Sequence, residues 1–218
     1  MTIRPYSKNI WFSPNYVIGE LTRTIKSGNQ KKIDKNKEAW VCAVALICRA
    51  KAEPAEWWIQ IPEKDPPDIL AMRLIPRSNG KGNSLSEQPV EIFEISEFDK
   101  DEKIEESIKR KLQDKDYAGN MVVGFVRRQE HFDHVSVSNY IKKMDPNSGA
   151  VYLIVNEENN TNFSFIGIFP DCFKYKCDWG AFCKNGDQKD FVDMERSTVI
   201  KKSDCTTNDT MTMIPELR

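Results

Sequence analysis

The sequence lacks the motifs that mark several common enzyme classes. It contains no glycine-rich phosphate loop and no nucleophile elbow, and only two of its 218 residues are histidine. The formal net charge is −1, so no overall positive charge predicts attraction to nucleic acid or to an anionic membrane. Contact with nucleic acid would therefore need a local basic patch.

Long hydrophobic segments are also absent. Residues 1–10 contain no apolar core of the kind that signal peptides have. The longest apolar stretch, Trp40–Cys48, has nine residues and is far shorter than a membrane-spanning helix. We therefore expect a cytoplasmic protein that has no membrane contact and keeps its thiols reduced.

The six cysteines do not follow the spacing of a zinc motif. Cys42 and Cys48 lie in the apolar stretch and are expected to be small core residues. Cysteines near the C-terminal end lack the close pairs of zinc knuckles: Cys172, Cys177 and Cys183. His131 and His134 could chelate a metal from one helical face, but a capping region ahead of a helix is the simpler interpretation.

Hydrophobic periodicity predicts an α/β fold, with a central mixed β-sheet flanked by helices in residues 1–170. Residues 171–218 are predicted to be a cysteine- and aromatic-rich extension packed on the same domain. The helix Glu102–Gln113 could be a crossover between parallel strands. The other predicted elements are a short helix Val17–Lys26, a helix Gln30–Lys51, strands Trp57–Ile61 and Asp68–Ile75, a loop Pro76–Gln88, strands Val90–Ile95 and Met121–Val126, a helix Ser136–Met144, and strands Ala150–Val155 and Phe163–Phe169.

Two predicted strands carry acidic residues within apolar patterns. Asp68 follows two prolines where one strand opens, and Glu91 and Glu94 lie in the next strand, Val90–Ile95. Carboxylates are costly to bury unless they are paired or bind a cation. The two glutamates are three residues apart, so they are expected to face opposite sides of the sheet. A simple alternative places Glu91 on the solvent side of an edge strand.

A Pro-Asp opening one strand, a glutamate inside the next, then a helix and a buried strand resemble the PD-(D/E)XK nuclease superfamily. The resemblance covers roughly residues 35–155 and implies a restriction-endonuclease-like core and a Mg²⁺-dependent nuclease acting on nucleic acid. It implies that Asp68 and Glu94, or less well Glu91, bind the metal. It also implies that Glu38 on the first helix assists.

The sequence departs from the family pattern at the lysine that polarises the scissile phosphate or the attacking water. That lysine stands two positions after the second acid, where this chain has Ser96 or Phe93. Neither side chain can supply the positive charge. The resemblance allows the lysine to come from the following helix, where Lys109 and Lys111 are available. Lys109 is also expected to pair with Glu105, four residues earlier.

Two functions from different classes remain open. The acidic pair favours a Mg²⁺-dependent nuclease in which Lys109 or Lys111 supplies the extra charge. The missing strand lysine and the near-neutral net charge favour an inactive nuclease-fold module that binds a protein partner. Arg127 and Arg128, at a strand exit, could contact phosphate. The aromatic and basic segment 169–182 is expected to pack in the core, although it could stack bases or bind a partner.

Overall fold

Parallel and antiparallel strands with flanking helices form an α/β fold, as the sequence predicts. The computed structural model describes residues 10–19, 33–52, 55–62, 66–76, 83–96, 101–114, 116–128, 131–157, 162–178, 191–193, 198–200 and 212–213. The chain forms two units. Unit 1 comprises Met1–Gln88 and Cys183–Arg218, and unit 2 comprises Pro89–Phe182.

The described elements follow one another along the chain as four helices and eleven strands. In order they are β1 (Ile10–Phe12), α1 (residues 14–19), α2 (Ile33–Ala52), β2 (Glu56–Gln60), β3 (Ile69–Pro76), β4 (Asn83–Ile95), α3 (Ile104–Asp114), β5 (Tyr117–Val126), α4 (His134–Lys143), β6 (Ser148–Asn156), β7 (Asn162–Phe169), β8 (Phe173–Asp178), β9 (Phe191–Asp193), β10 (Thr198–Ile200) and β11 (Thr212–Met213). Among the helices described, none is both long and apolar enough to cross a membrane.

Unit 1 is an antiparallel arrangement covered by a long helix. Its strands follow the order β11-β10-β9-β1-β2-β3, and α2 packs against β2 and β3. The apolar second half of α2 is buried, and Cys42 and Cys48 are buried core residues there, as predicted. Burial in this apolar helix raises the pKa of the Cys42 thiol far above its usual range.

Unit 2 contains the parallel part of the fold. β4, β5 and β6 are parallel neighbours, whereas β6, β7 and β8 pair antiparallel. The predicted crossover is confirmed, because α3 joins the parallel strands β4 and β5. Ile104 and Ile108 of α3, with Val137 and Ile141 of α4, are buried against one face of these strands. This face is the apolar core of the unit.

A row of aromatic rings lies across β6, β7 and β8 on the opposite face. The ring centroids of Tyr152 and Phe165 are 5.2 Å apart, and those of Phe173 and Tyr175 are 5.0 Å apart. Gly167 makes room for the row, because a Cβ there would lie 2.5 Å from a ring carbon of Phe173. Phe173 is only partly buried in this row and Tyr175 is 41% exposed, so neither ring packs in the core as predicted. The rest of the predicted aromatic segment, from residue 179, lies outside the described residues.

Two local predictions need correction. β4 begins at Asn83, so the segment predicted as a loop up to Gln88 is partly strand, because polar composition is a weak guide once a backbone is paired. The helix predicted from Val17 includes residues 14–19, and its remaining predicted part, residues 20–26, lies outside the described residues. It starts earlier because the Ser13 side chain accepts a hydrogen bond from the Tyr16 backbone N–H at 3.1 Å.

The start of α4 confirms the predicted capping region. The Asp133 side chain accepts hydrogen bonds from the Val135 backbone N–H at 3.0 Å and from the Ser136 hydroxyl at 2.6 Å. Both bonds lower the pKa of Asp133, and the bond from the Ser136 hydroxyl has the larger effect. His131 precedes the cap and His134 begins the helix. The two histidines therefore do not share a helical face, as the metal-chelating alternative required.

We predict that Gly124→Ala destabilises unit 2 through a clash with the Phe93 ring. A Cβ at Gly124 would lie 2.6 Å from one ring carbon of Phe93 and 2.7 Å from a methyl group of Leu153. Overpacking of this kind costs about 1–3 kcal/mol. Chemical denaturation should show that cost. In a double-mutant cycle, Phe93→Leu should recover part of it, and full additivity of the two changes would contradict the packing shown here.

We predict that acid weakens unit 2 through Glu157. The Ser164 hydroxyl donates a hydrogen bond to Glu157 and is the main cause that lowers the pKa of this carboxyl below its ordinary value of 4.5, with Lys174 adding a smaller effect. A carboxyl with a lowered folded-state pKa stabilises the fold above that ordinary value, and the contribution is lost as the pH falls through the lowered value.

Glu157→Gln tests this dependence in denaturation curves at pH 7 and at pH 3. The variant should be less stable than the parent at pH 7, and the difference should shrink at pH 3. Ser164→Ala should reduce the acid sensitivity in the same way. An equal difference between parent and Glu157→Gln at both pH values would contradict the assignment.

Candidate active site

Glu91 is a buried carboxylate in the middle of a parallel strand. It lies opposite Val122 in the β4–β5 register, and its side chain is 2% exposed. Its strand position places it on the same face as Phe93 and Ile95, which pack with α3 and α4. The alternative that Glu91 lies on the solvent side of an edge strand is therefore wrong. β4 has β5 as a neighbour, and helices cover this face.

Lys111 from the last turn of α3 meets this carboxylate. Its Nζ atom lies 3.6 Å from Glu91 Oε2, and its side chain is 19% exposed. The rotation of α3 explains the contact. The helix turns one apolar stripe toward the sheet, and this stripe consists of Ile104, Ile108 and Leu112. Lys111 lies beside that stripe, so its methylene groups run along the apolar surface while the ammonium reaches the glutamate.

Tyr117, at the start of β5, is the third residue of this group. The Lys111 Nζ atom lies 5.5 Å from the centre of its ring, which is within the range of a cation–π contact. Tyr117 is buried, and its hydroxyl makes no hydrogen bond to the described residues. The ammonium of Lys111 is thus held between a carboxylate and an aromatic face. The arrangement is a largely buried pair of opposite charges.

Glu94 lies in a different environment from Glu91. It belongs to the opposite face of β4, and its Oε1 atom accepts a hydrogen bond from Arg127 Nη1 at 3.0 Å. Both side chains are substantially exposed, so this ion pair contributes little to stability. Arg127 therefore has a carboxylate partner, and Arg128 is buried and donates to the backbone oxygen of Glu102.

Lys109 does not pair with Glu105 as predicted. Its Nζ atom lies 3.3 Å from Glu106 Oε2, three residues earlier on α3, and Tyr140 of α4 donates a hydrogen bond to Glu106 at 2.7 Å. The bond from Tyr140, followed by those with Lys109, lowers the pKa of Glu106. The packing of α3 against α4 decides this choice, because Tyr140 draws the carboxylate toward α4.

The two remaining predicted site residues belong to unit 1. Asp68 lies in the bend directly before β3, and Glu38 is a partly buried residue in the first half of α2. Their roles as second metal ligand and assisting glutamate stay predictions. The described residues contain no group of three or more histidine, cysteine, aspartate or glutamate side chains placed to hold a metal ion.

Sequence reasoning named Lys111 and considered Glu91, but it did not bring the two together. The signal was present in the sequence. The residue two positions after Glu91 is Phe93, so the face of the strand that bears this glutamate is apolar. A helix is therefore expected to cover this face. The lysine directly before Leu112, on the buried stripe of the next helix, is the residue placed to neutralise the carboxylate.

We predict that Lys111→Met destabilises the protein by about 3 kcal/mol, because the change leaves the buried Glu91 carboxylate without its ammonium partner. Chemical denaturation measures the loss. Lys109→Met removes the same charge from the same helix at a surface pair and should leave the free energy of unfolding nearly unchanged.

The double variant Glu91→Leu with Lys111→Met separates the charge from the packing. Replacing both members of a buried ion pair with apolar groups removes the uncompensated charge, so stability should return toward that of the parent. Equal losses for Lys111→Met and Lys109→Met would show that the Glu91–Lys111 pair is not buried in solution.

Comparison with known proteins does not assign a function to the chain. No protein-family model matches the chain, and no curated protein or solved structure matches it significantly. The chemistry of the Glu91–Lys111 pair is therefore inferred from its own contacts and burial.

Proposed function

We propose that the chain is a Mg²⁺-dependent nuclease that hydrolyses nucleic acid phosphodiesters, with Glu91 and Lys111 at the centre of its active site. The observation that carries the proposal is the 3.6 Å separation of Lys111 Nζ and Glu91 Oε2. Phe93 occupies the strand position where the resemblance expects a lysine, and α3 brings a lysine to the same carboxylate. In this proposal Glu91, rather than Glu94, is the second acid.

In the proposal, Glu91 is a ligand of a magnesium ion. Mg²⁺ is commonly held by one or two carboxylates together with waters and substrate phosphates, and Glu91 offers a carboxylate. The Lys111 Nζ atom lies 3.6 Å from Glu91 Oε2, which is longer than a hydrogen bond. When bound, the metal would polarise the phosphate and lower the pKa of a bound water.

Lys111 supplies a fixed positive charge at the place where negative charge would develop. Its ammonium is oriented by Glu91 and by the Tyr117 ring, so little reorganisation is needed when a phosphate group arrives. The low exposure of Lys111 strengthens the attraction between its ammonium and a phosphate group, because a buried charge acts through a medium less polar than water. The resemblance implies metal binding by Asp68 and assistance by Glu38, and both roles stay predictions.

A specific observation favours the second candidate, an inactive nuclease-fold module that binds a protein partner. Each of the two β4 glutamates faces a cation within unit 2, since Lys111 pairs with Glu91 and Arg127 with Glu94. Carboxylates that are neutralised by side chains have less need of a metal. The two candidates differ in one measurable property, which is metal-dependent cleavage.

The decisive experiment incubates the purified chain with plasmid, single-stranded DNA and RNA in Mg²⁺ or Mn²⁺. We expect cleavage that EDTA abolishes, that Glu91→Gln reduces below detection, and that Lys111→Met lowers by about a hundredfold or more, because each removes charge from the reacting centre. Gel electrophoresis or a fluorogenic oligonucleotide measures the rates.

Glu94→Gln is the matched control, since it removes a carboxylate from the same strand at a surface ion pair. It should retain activity within a few-fold. A loss of activity in Glu94→Gln with retention in Glu91→Gln would return the metal site to Glu94 and refute the present assignment. No cleavage of any substrate by the folded parent would favour the binding module.

A further inference from the structure

β8 is the outermost strand of unit 2. The strands of this unit follow the order β4-β5-β6-β7-β8, and β8 pairs antiparallel with β7 on its inner side. Among the described residues, no strand pairs with the outer side of β8. Alternate residues of an edge strand point their backbone N–H and C=O groups outward, where a further strand can pair with them. The outer edge of β8 is therefore a place where an extended segment can add to the sheet.

Two exposed lysines give one face of this edge a positive charge. Lys174 and Lys176 are two residues apart, so they point to the same face of β8. Lys174 lies opposite Ile166 of β7, which belongs to the core beneath α3 and α4. Its Nζ atom lies 3.9 Å from Glu157 Oε1, and 38% of its side chain is exposed. Because an exposed ion pair of this length is weak, both ammonium groups present positive charge to the solvent beside the outer edge.

The opposite face of the same strand is aromatic. Phe173 and Tyr175 alternate with the lysines, and their ring centroids are 5.0 Å apart. Phe165, the partner of Tyr175 on β7, is fully buried, whereas Tyr175 is 41% exposed. The aromatic row of this face therefore ends at β8 with a ring that is partly open to solvent. A strand added beside β8 would cover that ring.

A second copy of the chain does not suit this edge. If two β8 strands paired antiparallel with Tyr175 opposite its own copy, Lys174 would lie opposite Lys176 of the second copy on both sides. The two neighbouring registers would place Lys174 or Lys176 opposite itself. Like charges that lie directly opposite each other destabilise a strand pair, and lysines on an edge strand commonly prevent such pairing. The edge therefore favours an occupant that carries negative charge.

We propose that the outer edge of β8 binds an acidic, extended segment of a protein partner, which joins the sheet as a further strand. Acidic side chains of the segment lie opposite Lys174 and Lys176, and an apolar side chain on the other face packs against Tyr175. Backbone hydrogen bonds supply affinity in this mode of binding, and the alternating side chains supply specificity. A nucleic acid lying on one face would meet either the lysines or the aromatic rings, whereas an added strand meets both.

The test uses the full chain and a fluorescein-labelled peptide of about eight residues, the length of an ordinary strand, that alternates glutamate with valine and tyrosine. In one control peptide lysine replaces each glutamate. In the other, prolines replace the central residues and remove backbone donors. Fluorescence anisotropy should show saturable binding of the acidic peptide. Each control peptide should bind at least about tenfold more weakly, because it lacks either the charges or the backbone hydrogen bonds.

Variants of the two lysines test the charge. Lys174→Gln with Lys176→Gln should weaken binding of the acidic peptide about tenfold, because it removes two ion pairs. Lys142→Gln with Lys143→Gln is the matched control, since these two lysines are exposed on α4 and their replacement changes the net charge equally. This control should bind the acidic peptide as the parent does. Lys174→Glu with Lys176→Glu should prefer the lysine peptide, because the signs are exchanged.

Amide hydrogen exchange distinguishes an added strand from a general attraction between charges. An added strand takes up the outward backbone N–H groups of β8, so exchange in residues 173–178 should slow when the acidic peptide is bound. Tyr175→Ser should weaken binding a few-fold without any change of charge, because it removes the ring that the peptide covers. If the lysine variants do not fold, the exchange measurement and the proline peptide decide with the parent alone.

Several results would overturn the inference. One is an acidic peptide that does not bind, or that binds the parent and the double glutamine variant of Lys174 and Lys176 equally well. Another is binding that leaves exchange in residues 173–178 unchanged. Binding of single-stranded oligo(dT) in EDTA, without binding of the acidic peptide, would assign the lysines to nucleic acid. Self-association that Tyr175→Ser abolishes, again without peptide binding, would assign the edge to a second copy.

Peptide binding at β8 goes beyond the proposed nuclease activity and does not rest on it. Glu91→Gln should lose cleavage and bind the acidic peptide as the parent does. A chain that binds the peptide but never cleaves refutes the nuclease proposal alone. A chain that cleaves nucleic acid but does not bind the peptide refutes the strand addition alone.

Discussion

A carboxylate at the centre of a buried parallel strand has to meet a positive charge, and this constraint organises unit 2. Glu91 is paired with β5 along its backbone and covered by helices on its side-chain face. Burying it as an isolated ion would cost several kcal/mol. Lys111 removes that cost only if α3 lies over β4 with the correct rotation. The apolar stripe of α3, which includes Ile104 and Ile108, provides this rotation. Packing and charge therefore specify the same position of the helix.

The two glutamates of β4 are chemically identical, but they differ in how deeply they are buried. Glu91 and Glu94 are three residues apart, so the strand turns them to opposite faces. One becomes part of a dry ion pair with Lys111, and the other forms a solvated pair with Arg127. An ordered charge pair in a less polar environment acts on a ligand more strongly than a flexible surface pair does. The proposed nuclease therefore uses Glu91 rather than Glu94.

The helices and strands from α2 to β7 could be predicted from the sequence, because their signals are local, whereas β1 and β8 to β11 were not predicted. The continuous apolar run Met121–Val126 is a central strand, and the spacing of Ile104 and Ile108 marks the buried side of α3. Prediction failed where distant groups decide the outcome. Residues 83–88 are polar but belong to a strand, and Lys109 pairs with Glu106 because Tyr140 of α4 holds that carboxylate. No pattern within a single segment contains this information.

The sequence by itself determined the order of the elements from α2 to β7, the crossover at α3 and the opposite orientation of the two β4 glutamates, since these follow from the periods of helices and strands. Tertiary structure decided which glutamate is buried and which lysine reaches it. It also brought Arg49 and Arg73, from different elements, to the indole of Trp57. These pairings depend on helix rotation and strand register, which are set by packing between segments far apart in the chain.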